Sequence, residues 1–193
     1  LNIMVTKNAE QVNVTGNPEA YEYYLKGQYK FDKRTTLEDL KISQGMLEQA
    51  ITLDSNLVSA INLLGTTYNF ENNYDKSEEI FKKAKDVSLR LNNMVAHSTA
   101  LGGLAVIKYF RGEIDDALGL MLEAKSIAEE AGDKGQVARN LNNISLIYSA
   151  RGDNQQALKT LFEMLDICES LDDKKRLVYA HQNLAAVYSG LGK

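Results

Sequence analysis

The sequence has one cysteine, Cys168, one proline, Pro18, and no tryptophan. A lone cysteine cannot close an internal disulfide and fits a reducing compartment. A single proline leaves nearly the whole chain without the residue that most strongly breaks helices. Basic side chains are outnumbered, 22 Lys and Arg against 26 Asp and Glu, and the signs are interspersed over a net charge of −4. A nucleic-acid binder would show a basic stripe, so no nucleic-acid partner is expected. No run approaches roughly 18 apolar residues, and no charged-then-apolar leader opens the chain, so no membrane association is expected. Gly-rich phosphate loops, HExxH, GxSxG and cysteine pairs are missing as well, so neither an enzyme nor a cofactor nor a metal site is expected. Together these absences predict a cytoplasmic, non-enzymatic protein. Two sequons, Asn13-Val14-Thr15 and Asn143-Ile144-Ser145, read as chance matches.

What is present is periodicity. In 141–161, LNNISLIYSARGDNQQALKTL, apolar residues fall at Leu141, Ile144 and Tyr148 and then at Ala157 and Leu161, with a break at Gly152-Asp153. That is the spacing of two helix faces on either side of a tight turn. Shifted by 40 residues the pattern returns: Tyr148 falls over Tyr68 and Tyr188, Gly152 over Gly112 and Gly192, Ala157 over Ala117 and Ser77. The connecting turns 91–93, 131–133 and 171–173 align in the same way. A fixed period of this size predicts stacked helical hairpins, none able to bury its face alone.

Along the chain, 1–17 is polar and aperiodic and reads as a linker or the end of a preceding domain; the opening on Leu1 predicts a longer protein. Asn17-Pro18-Glu19 is a helix start, with Asn as cap and Pro at the first helical position. The first helix is expected from Glu19 to about Phe31, and the next from a Thr36 cap. The array divides into 18–55, 56–93, 94–133, 134–173 and an incomplete 174–193.

Ile61-x2-Leu64-Gly65-x2-Tyr68 followed by Ser77-x3-Phe81 and Ala84 resembles the tetratricopeptide signature W-x2-L-G-x2-Y…A-x3-F. The small first-helix residue that admits its partner helix recurs as Gly65, Ala105, Ser145 and Ala185. The resemblance covers 56–193 and, with a lengthened loop, 18–55. It implies an all-α fold, a right-handed superhelix of antiparallel helix pairs. The repeat is 40 residues rather than the usual 34 and lacks the closing proline, so about 1.7 extra turns are expected, shared between each second helix and the next first helix. This longer form resembles the repeats of kinesin light chain and of bacterial peptide-responsive regulators. HEAT-like repeats have a similar period, but the A-x3-F spacing favours the tetratricopeptide reading. The stretches 17–31 and 47–68 also resemble the repeat segment of multidomain bacterial signalling proteins such as class III nucleotide cyclases, whose catalytic aspartates would lie outside this chain.

Among chemically capable residues, His97 and His181 sit two repeats apart, roughly 20 Å or more, too far to share a metal. His181 falls at the position of Ile61, Leu101 and Leu141 and is expected to be packed. Cys168 aligns with Ser88 and Ala128 as an inert core thiol. The acidic turns at 129–133 and 169–173 read as caps.

The candidate binding residues are amides. If Leu141, Ile144, Ser145 and Tyr148 face the partner helix, Asn142 and Asn143 turn to the surface lined by first helices. Gln182 and Asn183 follow one repeat on, Gly102-Gly103 precede them by one, and Asn62-Leu63 by two. A primary amide both donates and accepts, so a row of them can hold an extended backbone without reading its side chains. The tetratricopeptide resemblance implies the same use. Arg139 adds a site for a carboxylate, and the two glycines leave room for a side chain. The expected function is a protein-interaction module that binds a peptide or helix on its concave face, as the regulatory part of a bacterial signalling protein. The alternative is an oligomerisation spacer without a peptide ligand. Leu184, Ala185, Val187, Tyr188 and Leu191 form an uncovered core face at the end, from which a homodimer through the last helix is expected.

Overall fold

The structure, a computed structural model, describes residues 16–191. Residues 1–15 of the linker expected over 1–17, the sequon at Asn13 and the final Gly192-Lys193 lie outside the described residues. Those described form nine α-helices and no strand: α1 (Pro18–Asp32), α2 (Leu37–Leu53), α3 (Val58–Phe70), α4 (Tyr74–Arg90), α5 (Met94–Phe110), α6 (Ile114–Glu130), α7 (Lys134–Ala150), α8 (Asn154–Ser170) and α9 (Lys174–Gly190). From α4 onward every helix has 17 residues. The added length over a 34-residue repeat is thus carried equally by first and second helices.

The turns explain that regularity. Backbone enters the left-handed region every 20 residues, at Asn72 (φ 59°), Asn92 (51°), Gly112 (81°), Gly132 (71°), Gly152 (77°) and Asp172 (49°). Each of these residues ends a helix, and the next N–H reaches back to the carbonyl five residues earlier: Asn73 to Tyr68, Asn93 to Ser88, Glu113 to Lys108, Asp133 to Ala128, Asp153 to Tyr148 and Asp173 to Cys168, at 2.9–3.0 Å. This is the Schellman closure. All but Glu113 then cap the following helix, accepting from the backbone N–H three residues on: Lys76, Ala96, Gln136, Gln156 and Arg176. One three-residue turn therefore stops one helix and starts the next. The first hairpin starts differently. Asn17 accepts from the N–H groups of Glu19 and Ala20 above Pro18, and Thr36 with Asp39 forms a capping box on α2.

The chain divides into two compact units, 1–96 and 97–193, the boundary falling in the first turn of α5. In the first unit Ala20, Leu47, Ala50, Leu57, Ala60, Leu64 and Tyr68 form the core. Its hairpins close through small residues. The Ser43 hydroxyl donates to the Gly27 carbonyl and the Ser77 hydroxyl to the Gly65 carbonyl, both at 2.8 Å. A Cβ on Gly65 would stand 3.0–3.1 Å from the Phe81 ring, so the glycine creates the close approach.

In the second unit Ala105, Ala117, Met121, Ile144 and Ile147 form one cluster. Ala128, Leu141, Ala157, Leu161, Met164, Cys168, Ala180, Leu184 and Val187 contribute to another. Leu184 and Val187, expected on an open face, are thus already core residues; each side chain so buried contributes roughly 1.5–3 kcal/mol. His181 is a correction of the opposite kind: it is exposed, because no helix follows α9 among the described residues to cover that side. Cys168 is buried, and burial first, then the charge of Asp173, pushes its thiol above the usual range. Lys125 of α6 bonds Glu129 in its own helix and Glu163 of α8 at 3.1 Å, an ionic tie beside the hydrophobic ones.

Candidate functional site

Leu141 and Ile144 of α7 are buried, so the intervening Asn142 and Asn143 are turned to a half-buried surface. The equivalent surface of α9 carries Asn183, because Ala180, Leu184 and Val187 hold the opposite side in the core. The two meet. Asn183 Nδ2 donates to Asn142 Oδ1 at 2.8 Å, and Asn142 Nδ2 donates to Asn143 Oδ1 at 3.3 Å. Three of the expected amides therefore form one row across two first helices, with Asn183 Oδ1 and Asn143 Nδ2 at its ends. Gln182, next to Asn183, is exposed, as is Arg139, one turn before Asn143. Leu146, one turn beyond the row, is 43% exposed and offers an apolar contact.

Asn62 is the correction. It has the same register two repeats earlier, yet it is buried, and its Nδ2 donates to the Ala96 carbonyl at 3.0 Å. That donor holds a helix start in place and is not available to a ligand. Gly102 is also buried: the space over it is taken by Asn140 Oδ1 at 3.5 Å and Met121 Sδ at 3.8 Å from where a Cβ would stand, so it opens no side-chain pocket.

Sequence reasoning missed a buried polar chain behind the row. Gln136 Nε2 donates to Asn140 Oδ1 (3.2 Å), Asn140 Nδ2 to Ser98 Oγ (3.1 Å), and Ser98 Oγ to the Ala124 carbonyl (2.7 Å). Satisfied buried amides of this kind fix the register of α5, α6 and α7, since breaking any link strands the others. The signal was four-residue spacing, Gln136 and Asn140 lying on one side of α7.

Also missed was a pocket of about 410 Å³ beside the row. Asn142 forms part of its wall, Met164 and Tyr179 supply apolar surface, and Arg139, Lys175 and Arg176 bring positive charge. A Cβ on Gly135 would stand 3.3 Å from Asp133 Oδ1 and 3.8 Å from the Arg176 guanidinium. Asp173, the α9 cap, pairs with Arg176. The Arg176 backbone N–H, together with that guanidinium, holds the Asp173 carboxyl below the usual carboxylate range. The sequence signal was the run Lys174-Lys175-Arg176 in the first turn of a helix, where the dipole disfavours cations. No group of His, Cys, Asp and Glu among the described residues could hold a metal, and no described helix is long and apolar enough to cross a membrane.

Residues 96–170 match the tetratricopeptide repeat family. The fold is that of tetratricopeptide repeats. No curated protein matches the sequence. Among solved structures, a Rap protein complexed with Competence and Sporulation Factor superposes with a TM-score of 0.78 at 17% identity, over 96% of this chain and 52% of that one. A Signal Transduction ATPase with Numerous Domains from Pyrococcus horikoshii, which carries a tetratricopeptide repeat sensor, gives 0.74 at 18% identity, over 89% and 26%. Aspartyl phosphate phosphatase F from Bacillus subtilis gives 0.74 at 17%, over 90% and 46%. This chain thus spans about half or less of the length of these three proteins, and at such identities the likeness is one of fold.

Proposed function

We infer that the chain is a non-enzymatic protein-interaction module that holds an extended peptide across α7 and α9, as the regulatory part of a larger bacterial signalling protein of the kind in which such repeats accompany an output domain. The observation that carries this is the amide row. Asn183, Asn142 and Asn143 hold one another in place, which lowers the entropy lost on binding, and the row ends in one acceptor, Asn183 Oδ1, and one donor, Asn143 Nδ2. A peptide backbone presents the complementary pair along its whole length. Support also comes from the Rap protein of the same fold, itself complexed with a factor, and from a repeat segment that serves as the sensor of a signalling ATPase.

The test uses a phage-displayed library of random dodecapeptides, free of any assumption about the natural partner. Peptides selected on the wild type are expected to lose at least tenfold in affinity on the Asn142→Ala/Asn143→Ala/Asn183→Ala variant, whatever their sequence. Recovery of no peptide, or peptides indifferent to the variant, overturns the reading. The second reading, an oligomerisation spacer, draws on Val178 (54% exposed), Tyr188 (36%) and Leu191 (41%), which leave apolar surface on α9. A two-fold dimer through that surface would appear in light scattering as a doubled mass, unaffected by the triple alanine variant and abolished by Tyr188→Glu with Leu191→Glu.

A further inference from the structure

The hairpin of α1 and α2 closes as that of α3 and α4 does, the Ser43 hydroxyl donating to the Gly27 carbonyl as the Ser77 hydroxyl donates to that of Gly65. Gly27 therefore falls over Gly65, and the rest of α1 can be laid over α3. In α3, Ala60 and Leu64 share a core cluster with Ala20 of α1 and with Leu47 and Ala50 of α2, and Thr67 on the next turn is buried as well. At the same stations α1 has Glu22, Lys26 and Tyr29, all exposed. Tyr29 is 64% exposed and Leu25, beside it, 44%. No described element covers this face. One more hairpin of the same pattern fits it poorly. It would close over the Glu22–Lys26 ion pair (2.6 Å) as α1 and α2 close over Ala60 and Leu64, and desolvating both charges offsets what their attraction contributes. A suitable cover touches Leu25 and Tyr29 and leaves the charges at its edge.

The order of those charges selects the cover. Glu19, Glu22, Lys26 and Lys30 stand at i, i+3, i+7 and i+11, along one side of α1, acidic in its first half and basic in its second. An identical helix laid antiparallel across Leu25 presents the reverse order. Each glutamate of one copy then comes beside a lysine of the other. We propose that α1 is a self-association surface, through which two copies of the chain pair antiparallel about a two-fold axis near Leu25. Tyr29 of each copy packs against Tyr21 of the other, and Glu19 and Glu22 lie beside Lys26 and Lys30 across the axis. The surface is independent of the amide row. It is also distinct from the apolar surface of α9, which lies in the other unit.

The experiment is light scattering coupled to size exclusion, on the full chain at high micromolar concentration and low ionic strength, where a doubled mass is expected. Glu22→Lys and Lys26→Glu each set like charges against one another across the axis. Each alone should weaken the dimer at least tenfold, with unchanged circular dichroism. Mixed one to one, the two should recover the doubled mass, because the basic side of one then meets the acidic side of the other. Leu25→Asp should leave a monomer, whereas Tyr188→Glu/Leu191→Glu should dimerise as the wild type does. A dimer abolished by the α9 variant, or formed equally by both single charge variants, overturns the proposal. So does a mixture that fails to pair, or a mass that grows beyond two copies, since a two-fold contact closes on itself. A monomeric wild type overturns it in either of two ways. If Leu25→Asp lowers its melting temperature, residues of the same chain cover the face; if not, α1 is a solvated cap.

Discussion

At 72–73 and 92–93 the chain turns on Asn-Asn; at 132–133 and 152–153 it turns on Gly-Asp. The geometry is the same in both units, a left-handed residue followed by a helix cap. The chemistry is not. Glycine enters left-handed backbone without steric cost, whereas asparagine tolerates it; aspartate caps with a charge, whereas asparagine caps without one. Each unit contains a helix start with no side-chain cap, at Leu57 and at Glu113, but only the first has the lengthened loop that ends at Thr36. The amide at a shared register position follows the same division: Asn62 is buried and tied to the Ala96 carbonyl, while Asn142 stands half-open and linked to Asn183. One repeat pattern can thus build a hairpin whose polar residues serve the fold and another whose polar residues remain available to a ligand. The family match over 96–170 lies almost wholly in the second unit.

The largest effect separates how the two units pack their glycines. Gly65→Leu puts a branched side chain where even a Cβ would stand 3.0 Å from Phe81, and the helices are held together there by the Ser77 hydroxyl on the Gly65 carbonyl. Overpacking of this kind costs about 1–3 kcal/mol. Gly102→Ala in the second unit meets Asn140 and Met121 at ordinary contact distances, and its helix gains up to about 1 kcal/mol of propensity. Urea denaturation of both variants should show opposite signs. Equal stability losses would mean that Gly65 is no tighter than Gly102.

A smaller effect tests the turns. Gly152→Ala places a Cβ in left-handed backbone at φ 77° and should destabilise by about 1 kcal/mol, although nothing lies within 4 Å of the new methyl. Asn72→Gly, the same station in the first unit, should be neutral or slightly stabilising in the same denaturation measurement. A stable Gly152→Ala variant would show that conformational freedom at 152 is not what glycine supplies.

Much of the fold was legible in the 40-residue period, because small residues at Gly65, Ala105 and Ser145 and the aromatic at Phe81 are set by close helix contact, which is local in sequence. The 20-residue recurrence of the turns was harder to read, since Asn72, Gly132 and Asp172 are unlike residues that share one backbone conformation. The candidate site was legible only where neighbouring repeats supply both partners, as with Asn142 and Asn183. Whether an amide finds a buried carbonyl, as Asn62 does, depends on the third dimension. So does the pocket, whose wall takes Arg139 from α7 and Lys175 and Arg176 from α9.

The smallest effect distinguishes a charged cap from a neutral one. Asp173 and Asn73 cap α9 and α4 through the same bond, from the N–H of Arg176 at 3.0 Å and of Lys76 at 3.3 Å. Only Asp173 titrates, and the Arg176 backbone N–H and guanidinium keep its carboxyl below the ordinary value. A carboxyl whose folded pKa is depressed contributes stability that is fully present above the unfolded pKa, about 3.9, and is lost as pH falls through the lower folded value. Asp173→Asn retains a good cap but removes the charge at the helix start, so at pH 7 it should cost about 0.5 kcal/mol. As pH falls below the unfolded value, about 3.9, and through the lower folded one, the gap between variant and wild type should close, because the wild-type carboxyl is then losing its charge as well. Asn73→Asp in the first unit should show the reverse, a gain at pH 7 that disappears in acid. Thermal melts of the three proteins between pH 7 and pH 3 check this. A gap between wild type and Asp173→Asn that stays constant over that range would mean that Asp173 acts through its hydrogen bond alone, as Asn73 does, and that the two units cap their helices by one mechanism after all.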